Sequence, residues 1–403
     1  VRKGRDRPDG KAAVQSAARF LYNETVSNFP LAYRLTWLPR FLWPSPGGSR
    51  DGFEASPRQI GDKAGNTVRL VFAGDLSAVA NRTPPLVDVG LQKLFAGADL
   101  VVVNCESPVV KLPHAPFGTW IGTCHAVSPA FLADALGAAA IDPRRAVLSL
   151  ANNHALDQDR RGLEESHEAI AAIGAQVVGL AGRPPLVVKT GGLAIAFDAF
   201  TLWRNASREV FADLVRTAPQ PWRPEETRAD FRCVVAHWDR EFRHFPLAAT
   251  RSMARQLVAS GASLVVGHHA HVIQPVECMD GALVVYGLGD FLGTAWARTR
   301  WPLRVGALFV ADIATEGSRR GEVVGHALVP FMRLRDGARE RLMPVTDLPE
   351  KIRGKVAERL DAVIGVERAT GRRAATDRIA ATPEGRDRRR PHTSTEGRER
   401  PAP

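Results

Sequence analysis

Asp75, Glu106, Asn153, His237, His269 and His271 are residues of the kinds that hold a divalent cation, and each closely follows a short apolar run. Residues 68–73 lead into Gly74-Asp75, residues 100–103 into Asn104-Cys105-Glu106, and residues 147–150 into Ala151-Asn152-Asn153-His154. Later, residues 234–236 end in His237, and residues 264–266 in Gly267-His268-His269-Ala270-His271. Imidazole nitrogens and carboxylate oxygens suit zinc, manganese or iron, and a two-metal centre needs about six to eight donors with a position left open. Taken singly, Asp75 reads equally well as a turn cap, Asn153 as a turn residue and His237 as a core histidine. Three histidines in the four residues from His268 to His271 are much harder to explain as packing.

For these side chains to meet, the apolar runs must be strands of an open α/β sheet, whose carboxyl ends line one rim. The chain supports that arrangement. Strand-like runs at 68–73, 100–103, 146–150 and 176–180 alternate with helical patterns at 86–96, 129–139 and 162–173. Residues 186–189 and 193–197 flank a Thr-Gly-Gly turn and predict a hairpin. Strands then dominate: 233–236, 263–266 after a helix at 247–260, then 272–276, 282–286, 305–313 and 322–330, with a closing helix at 351–364. A second sheet packed on the first is expected, giving a layered α/β sandwich.

The 403 residues are 45% hydrophobic and 24% charged, which excludes a wholly disordered or fibrous chain. No window approaches the ~18 to 20 uninterrupted apolar residues of a membrane-spanning helix. The net charge of +11 is concentrated at the ends, with +3 over residues 1–11 and +4 over residues 371–403. What remains is too dilute for a nucleic-acid groove, so no specific nucleic acid binding is expected, and the ends read as solvated basic tails. Four cysteines without a CxxC pair predict buried free thiols. The first apolar cluster is broken by Asn23, Glu24 and Asn28, unlike a signal peptide, and a cytoplasmic location is expected. The aromatic stretch 20–43, carrying Arg34 and Arg40, either packs on the main domain or makes a peripheral membrane or protein contact. The domain reading is an aromatic and basic arm with linker at 1–67, a main domain at 68–330, a C-terminal extension with a short helix at 331–365, and a disordered Arg-rich tail at 366–403.

Six segments carry a family resemblance in the right order across residues 68–293. They are Gly74-Asp75, Asn104-x-Glu106, the run from Ala151 to Asp157 with Gly162-Leu163, His237-Trp238-x-x-Glu241-Phe242, the run from Gly267 to Pro275, and the run from Tyr286 to Phe291. Together they resemble the CapA family of poly-γ-glutamate capsule biosynthesis proteins, relatives of the calcineurin-like metallophosphoesterases. The resemblance implies a four-layered α/β/β/α sandwich of the metallo-dependent phosphatase type, with one or two divalent ions (manganese, zinc or iron) at one rim. Asp75 matches the first metal aspartate, and Glu106 stands where a bridging aspartate is usual. Asn153 matches a ligand, His154 a proton donor or oxyanion stabiliser, and His237 the isolated ligand of a later strand. His269 and His271 fit the terminal His-x-His, with His268 either a supporting residue or the ligand under a one-residue shift. Asn104, Asp157 and Glu241 are expected as supporting residues, Glu241 by holding a ligand histidine in one tautomer.

The chain also departs from the family pattern. Leu76 and Ser77 follow Asp75 where phosphoesterases carry x-His, leaving a single metal or a weakly held second one. Asp239 replaces a glycine, and either adds a carboxylate or breaks the turn. Asp290 replaces a usual Asn and reads as a structural loop residue. The resemblance implies a metal-dependent hydrolase or transferase acting on a phosphoester or a γ-glutamyl amide, with an anionic polymer or phosphoester as substrate. The alternative is a non-catalytic, metal-stabilised module that binds an anionic polymer, for which Arg240 and Arg243 beside His237 are suited.

Overall fold

The computed structural model describes residues 27–44, 47–50, 52–53, 66–77, 83–112, 124–220, 228–293, 299–337 and 339–365. The basic segment 1–11, residues 20–26 of the aromatic stretch and the tail expected at 366–403 lie outside the described residues.

Helix α1 (Leu31–Leu42) precedes β1 (Thr67–Ser77), β2 (Leu86–Val87), α2 (Val89–Ala96), β3 (Leu100–Cys105), α3 (Pro129–Ala138), β4 (Ala146–Ser149), α4 (Asp159–Ala172) and β5 (Gln176–Val178). The hairpin of β6 (Leu186–Thr190) and β7 (Leu193–Thr201) leads through α5 (Arg208–Ala212) to β8 (Phe231–His237), α6 (Ala248–Ala259) and β9 (Leu264–His268). Then come β10 (Val276–Met279), β11 (Ala282–Val285), β12 (Asp290–Gly293), β13 (Val305–Ala314), β14 (Val323–Asp336), β15 (Arg339–Pro344) and α7 (Glu350–Ile364).

Nine strands form one sheet in the order β2-β15-β14-β13-β1-β3-β4-β5, with β12 beside the end of β1. Six form the other, in the order β10-β11-β9-β8-β7-β6. Strands β1, β3, β4 and β5 are mutually parallel, as are β7, β8, β9 and β11. The second sheet shows the alternation expected of a strand with two covered faces. Phe197, Val235, Val266 and Val285 join the apolar core shared with the first sheet, whereas Val234, Val265 and Val284 pack with Ala254 and Leu257 of α6. Leu91 and Phe95 of α2, Leu132 of α3 and Leu163 of α4 enter the same core as the first sheet. The result is the four-layered α/β/β/α sandwich. Among the described residues no helix is long and apolar enough to cross a membrane.

Some elements differ from expectation. Leu86 and Val87 are a strand paired with Arg341 and Leu342, and the helix expected from 86 begins only after Asp88, whose side chain accepts from the Gly90 amide. The strand expected at 272–276 is displaced to Val276–Met279, since Pro275 has no amide hydrogen to give a ladder. Strand β14 runs through residue 330 to Asp336 and pairs with β15, so the first sheet continues into the segment read as an extension. Buried Glu340, ion-paired to Arg333 at 3.1 Å, masks the strand pattern of β15 in the sequence. All four cysteines are free, but only Cys105 and Cys233 are buried, and Cys278 is exposed.

Helix α1 packs on the sandwich. Trp37 and Phe41 lie against Phe242, each with its ring centroid at 5.5 Å, while Leu31, Leu35 and Leu38 face outward.

Candidate metal centre

The expected ligands come from the facing rims of the two sheets, and two glycines let the backbones approach there. A Cβ at Gly74 would lie 1.8 Å from the Gly289 carbonyl oxygen, and one at Gly267 would lie 2.0 Å from that of Tyr286. Only glycine fits such approaches. They set Asp75 beside β12 in the first sheet and His268 beside the end of β11 in the second.

Asp75 is almost wholly buried and accepts three hydrogen bonds or close contacts from both sheets. Its Oδ1 lies 2.8 Å from Asn104 Nδ2 and 3.0 Å from His268 Nδ1, and its Oδ2 accepts from the His269 amide at 3.0 Å. Burial alone would raise its pKa. The hydrogen bond from His268 and the imidazoles of His268, His271 and His237 outweigh that and hold the carboxyl well below the ordinary value.

Glu106, just past β3, is completely buried, and neither carboxylate oxygen meets a hydrogen-bond donor among the described residues. Two imidazole nitrogens approach its Oε1 from farther off, His237 Nε2 at 3.6 Å and His271 Nε2 at 3.8 Å. Burial pushes the Glu106 acid strongly upward; His271 pulls it down, while Asp75 and Asp290 add to the rise. A carboxylate so placed is costly as an anion unless something positive sits against it.

His237 ends β8. Its Nε2 lies 2.8 Å from Asn153 Oδ1 and its Nδ1 3.2 Å from Asn104 Nδ2, so asparagines of the first sheet's rim grip a histidine of the second. Burial pulls its pKa well down. His269 and His271 occupy left-handed backbone, with φ of 85° and 52°, a conformation that side chains other than glycine adopt at a cost. The turn after β9 thereby aims both imidazoles at the rim. His271 Nδ1 lies 2.7 Å from Asp290 Oδ1, and Arg333 Nη2 donates to the other oxygen of Asp290 at 2.6 Å. Burial would lower the His271 pKa, but Glu106, Asp290 and Asp75 raise it well above the ordinary value. Asp290 is therefore part of the cluster and not merely a loop residue.

His154 sits beside this cluster on the loop after β4. Asn152 shapes the loop, accepting from the His154 amide at 3.1 Å and donating to the Cys105 carbonyl at 2.9 Å. His154 Nδ1 lies 2.6 Å from Asp157 Oδ2, which also accepts from the His125 amide at 2.7 Å. The His125 ring stacks on His154 at 3.6 Å and 3°. Burial lowers the His154 pKa to about 3, and burial raises that of Asp157 to about 7, so the pair favours one shared proton over two charges. Neither His125 nor Asn205, whose Nδ2 lies 3.4 Å from His154 Nδ1, stood out in the sequence.

Asp239 and Glu241, two of the expected supporting residues, bond to residues other than the histidines of the cluster. Asp239 takes a left-handed turn with φ 62° and accepts from Gln274 at 3.0 Å. Glu241 receives Trp37 Nε1 on its carboxylate, and its amide donates to the Tyr33 hydroxyl at 3.0 Å.

Two overlapping groups can each offer one ligand atom per residue, all within 4.8 Å: Glu106 with His269 and His271, and Asp75 with His271 and Asp290. The residues fit a divalent cation. The donors are hard carboxylate oxygens and imidazole nitrogens, and the orphaned oxygens of Glu106, with His268 Nε2 and His269 Nδ1 also unpartnered among the described residues, are what such an ion satisfies.

Residues 70–295 match the family model described as bacterial capsule synthesis protein PGA_cap. The chain is 32% identical over 171 residues to the PGA biosynthesis protein CapA of Bacillus subtilis, covering 38% of this chain and 44% of that protein. It is 29% identical over 172 residues to the capsule biosynthesis protein CapA of Bacillus anthracis, covering 38% and 42%. The match thus spans less than half the length of these relatives. Among solved structures, a putative 5'-nucleotidase from Staphylococcus aureus aligns with 14% identity and a TM-score of 0.42, over 73% of this chain and 59% of that one. A hypothetical protein from Thermus thermophilus aligns with 19% identity and a TM-score of 0.33, over 69% and 98%.

Proposed function

Because the chain belongs to the bacterial capsule synthesis protein family PGA_cap, we propose that it is a metal-dependent hydrolase or transferase that works on the γ-glutamyl amide bonds of a poly-γ-glutamate capsule polymer. The observation that carries the metal dependence is Glu106, a fully buried carboxylate with no donor on either oxygen among the described residues, facing histidines of both His237 and His271. Asp75, Glu106, Asn153, His237, His269 and His271 would hold one or two ions of manganese, zinc or iron. When bound, a divalent cation supplies Lewis acidity, lowering the pKa of water toward ~7.

The chain's own residues supply the rest. Asp157 engages His154 Nδ1, so proton traffic falls to Nε2. There His154 gives its Nε2 proton to the leaving amine while Nδ1 takes up the proton shared with Asp157, a role contributing ~10² to 10⁴-fold. The stacked His125 ring keeps the imidazole from swinging, and Asn152 holds the backbone that carries it. Arg240, its guanidinium 5.8 Å from the Tyr33 ring centroid, gives an acidic polymer a charged partner near the site.

The test is metal analysis combined with a panel of γ-glutamyl oligomer, phosphomonoester and phosphodiester substrates, for the parent and His154→Ala. Cleavage or transfer of the γ-glutamyl substrate by the parent, lost in His154→Ala at unchanged metal content, is the expected result. Turnover of phosphoesters alone replaces the amide by a phosphoester as substrate. Metal without turnover of any substrate, with polymer binding intact in His154→Ala, leaves a non-catalytic polymer-binding module instead.

A further inference from the structure

The N-terminal helix α1 lies outside the segment matched to the family, yet it reaches the metal-site histidines. Tyr33, only 2% exposed, places its hydroxyl 3.0 Å from His269 Nε2. Phe29 stacks on the same imidazole at 6.0 Å and 12°, and Trp203 closes the wall at 5.7 Å. The helix is pinned there by Trp37 on the Glu241 carboxylate and by Arg40, which donates to the Glu241 carbonyl at 3.0 Å.

The surroundings of the two ring nitrogens decide which nitrogen of His269 carries the proton. The phenol oxygen has two lone pairs and one hydrogen. It accepts from the Glu241 amide at 3.0 Å, which leaves one lone pair and one hydrogen for His269 Nε2. The lone pair receives a proton carried on Nε2. The opposite assignment would put a proton on Nδ1, which is buried and meets no partner among the described residues, at the full desolvation cost of an unmade bond.

We infer that Tyr33 is a positioning residue of the metal centre, accepting the Nε2 proton of His269 and so leaving Nδ1 as the nitrogen available to a cation. The inference rests on the reading of His269 as a cation ligand. Glu241 acts through it: its amide fixes the phenol, and the phenol fixes the imidazole. A ligand histidine held by an outer acceptor keeps one tautomer and one ring orientation, and loss of such an acceptor costs roughly 10- to 100-fold in metal affinity.

The experiment uses the full chain, stripped of metal and titrated with Mn²⁺, with Co²⁺ as a spectroscopic probe. Tyr33→Phe removes the hydroxyl and keeps the ring. Leu35→Ala, on the exposed face of the same helix, controls for loss of the helix, and His269→Ala controls for the ligand itself. The expected result is Mn²⁺ affinity weakened roughly 10- to 100-fold in Tyr33→Phe, an altered Co²⁺ absorption spectrum, and parent-like values in Leu35→Ala. In the metal-free parent, ¹⁵N chemical shifts of His269 should report the Nε2-protonated tautomer. Should His269→Ala lose Mn²⁺ while Tyr33→Phe binds it as the parent does, with an unchanged Co²⁺ spectrum, the ligand reading stands and the role of Tyr33 is overturned. A parent that binds neither ion overturns both.

Discussion

Asp290 and His271 meet at 2.7 Å, carboxylate oxygen to Nδ1, so the imidazole presents its Nε2 toward Glu106, 3.8 Å away. A carboxylate behind a histidine raises the basicity of the far nitrogen and fixes its aim. Asp290→Ala should therefore lower affinity for Mn²⁺ by roughly 10- to 100-fold, and Asp290→Asn by less, since the amide oxygen still accepts. Equal affinities for the parent and both variants, read by calorimetric titration, would show that the pairing does not act on the cation.

Glu106→Gln keeps the shape of the side chain and removes its charge. In chelator the variant should be more stable than the parent by about 1 kcal/mol, because the folded state no longer has to protonate a buried carboxyl or hold it charged without donors. Excess Mn²⁺ should raise the melting temperature of the parent, by the equivalent of about 2.7 kcal/mol at a hundredfold excess over Kd, and leave the variant unmoved. Thermal melts with and without metal check both arms.

A methyl group at Gly267 has nowhere to go, since it would fall 2.0 Å from the Tyr286 carbonyl oxygen and 2.3 Å from Trp238 Nε1. Gly267→Ala should destabilise the fold by about 3 kcal/mol through overpacking. Urea unfolding gives the number, and a change under about 0.5 kcal/mol, the scale of an ordinary surface substitution, would mean that the strands separate freely there.

His244 gives the fold an acid limb away from the candidate metal site. Its Nδ1 donates to the Ile273 carbonyl at 3.0 Å, and Arg359 donates to its Nε2 at 2.8 Å. Burial, with help from Arg359 and against the Ile273 hydrogen bond, lowers its pKa to about 4. The unfolded chain then binds more protons than the folded one between pH 6.5 and about 4. Stability from this group is complete above pH 6.5 and declines through that window as pH falls, by about 3 kcal/mol at most. His244→Gln should flatten the decline, and parallel parent and variant curves between pH 4 and 6.5 would reject the assignment.

The rim was legible because each ligand type ends a buried strand, and strand ends of parallel sheets must lie together. Asp75, Glu106 and Asn153 meet for that reason, and His237 joins them because the second sheet's rim faces theirs, the four being linked through Asn104 and His237. Asp290 was less legible, because β12 has four residues and follows a glycine turn, so no apolar run announces it. Tyr33 was invisible as a site residue: its helix has the pattern of any amphipathic segment, and nothing in 236 residues of separation from His269 hints at the contact. His125 likewise owes its place to the fold of a loop and not to spacing.

Arg333 lies on β14, past the end of the segment that matches the family, and it grips Asp290, Glu340 and the Leu303 carbonyl together. Strand β13, also beyond that end, supplies the whole antiparallel flank of β1 from Thr67 to Phe72. Homology and autonomy thus have different borders in this protein. An excised 70–295 fragment would carry nearly every candidate donor on a slab with a raw edge, its key aspartate robbed of a guanidinium clamp, and the hinge on which the chemistry turns would have been left in the discarded piece.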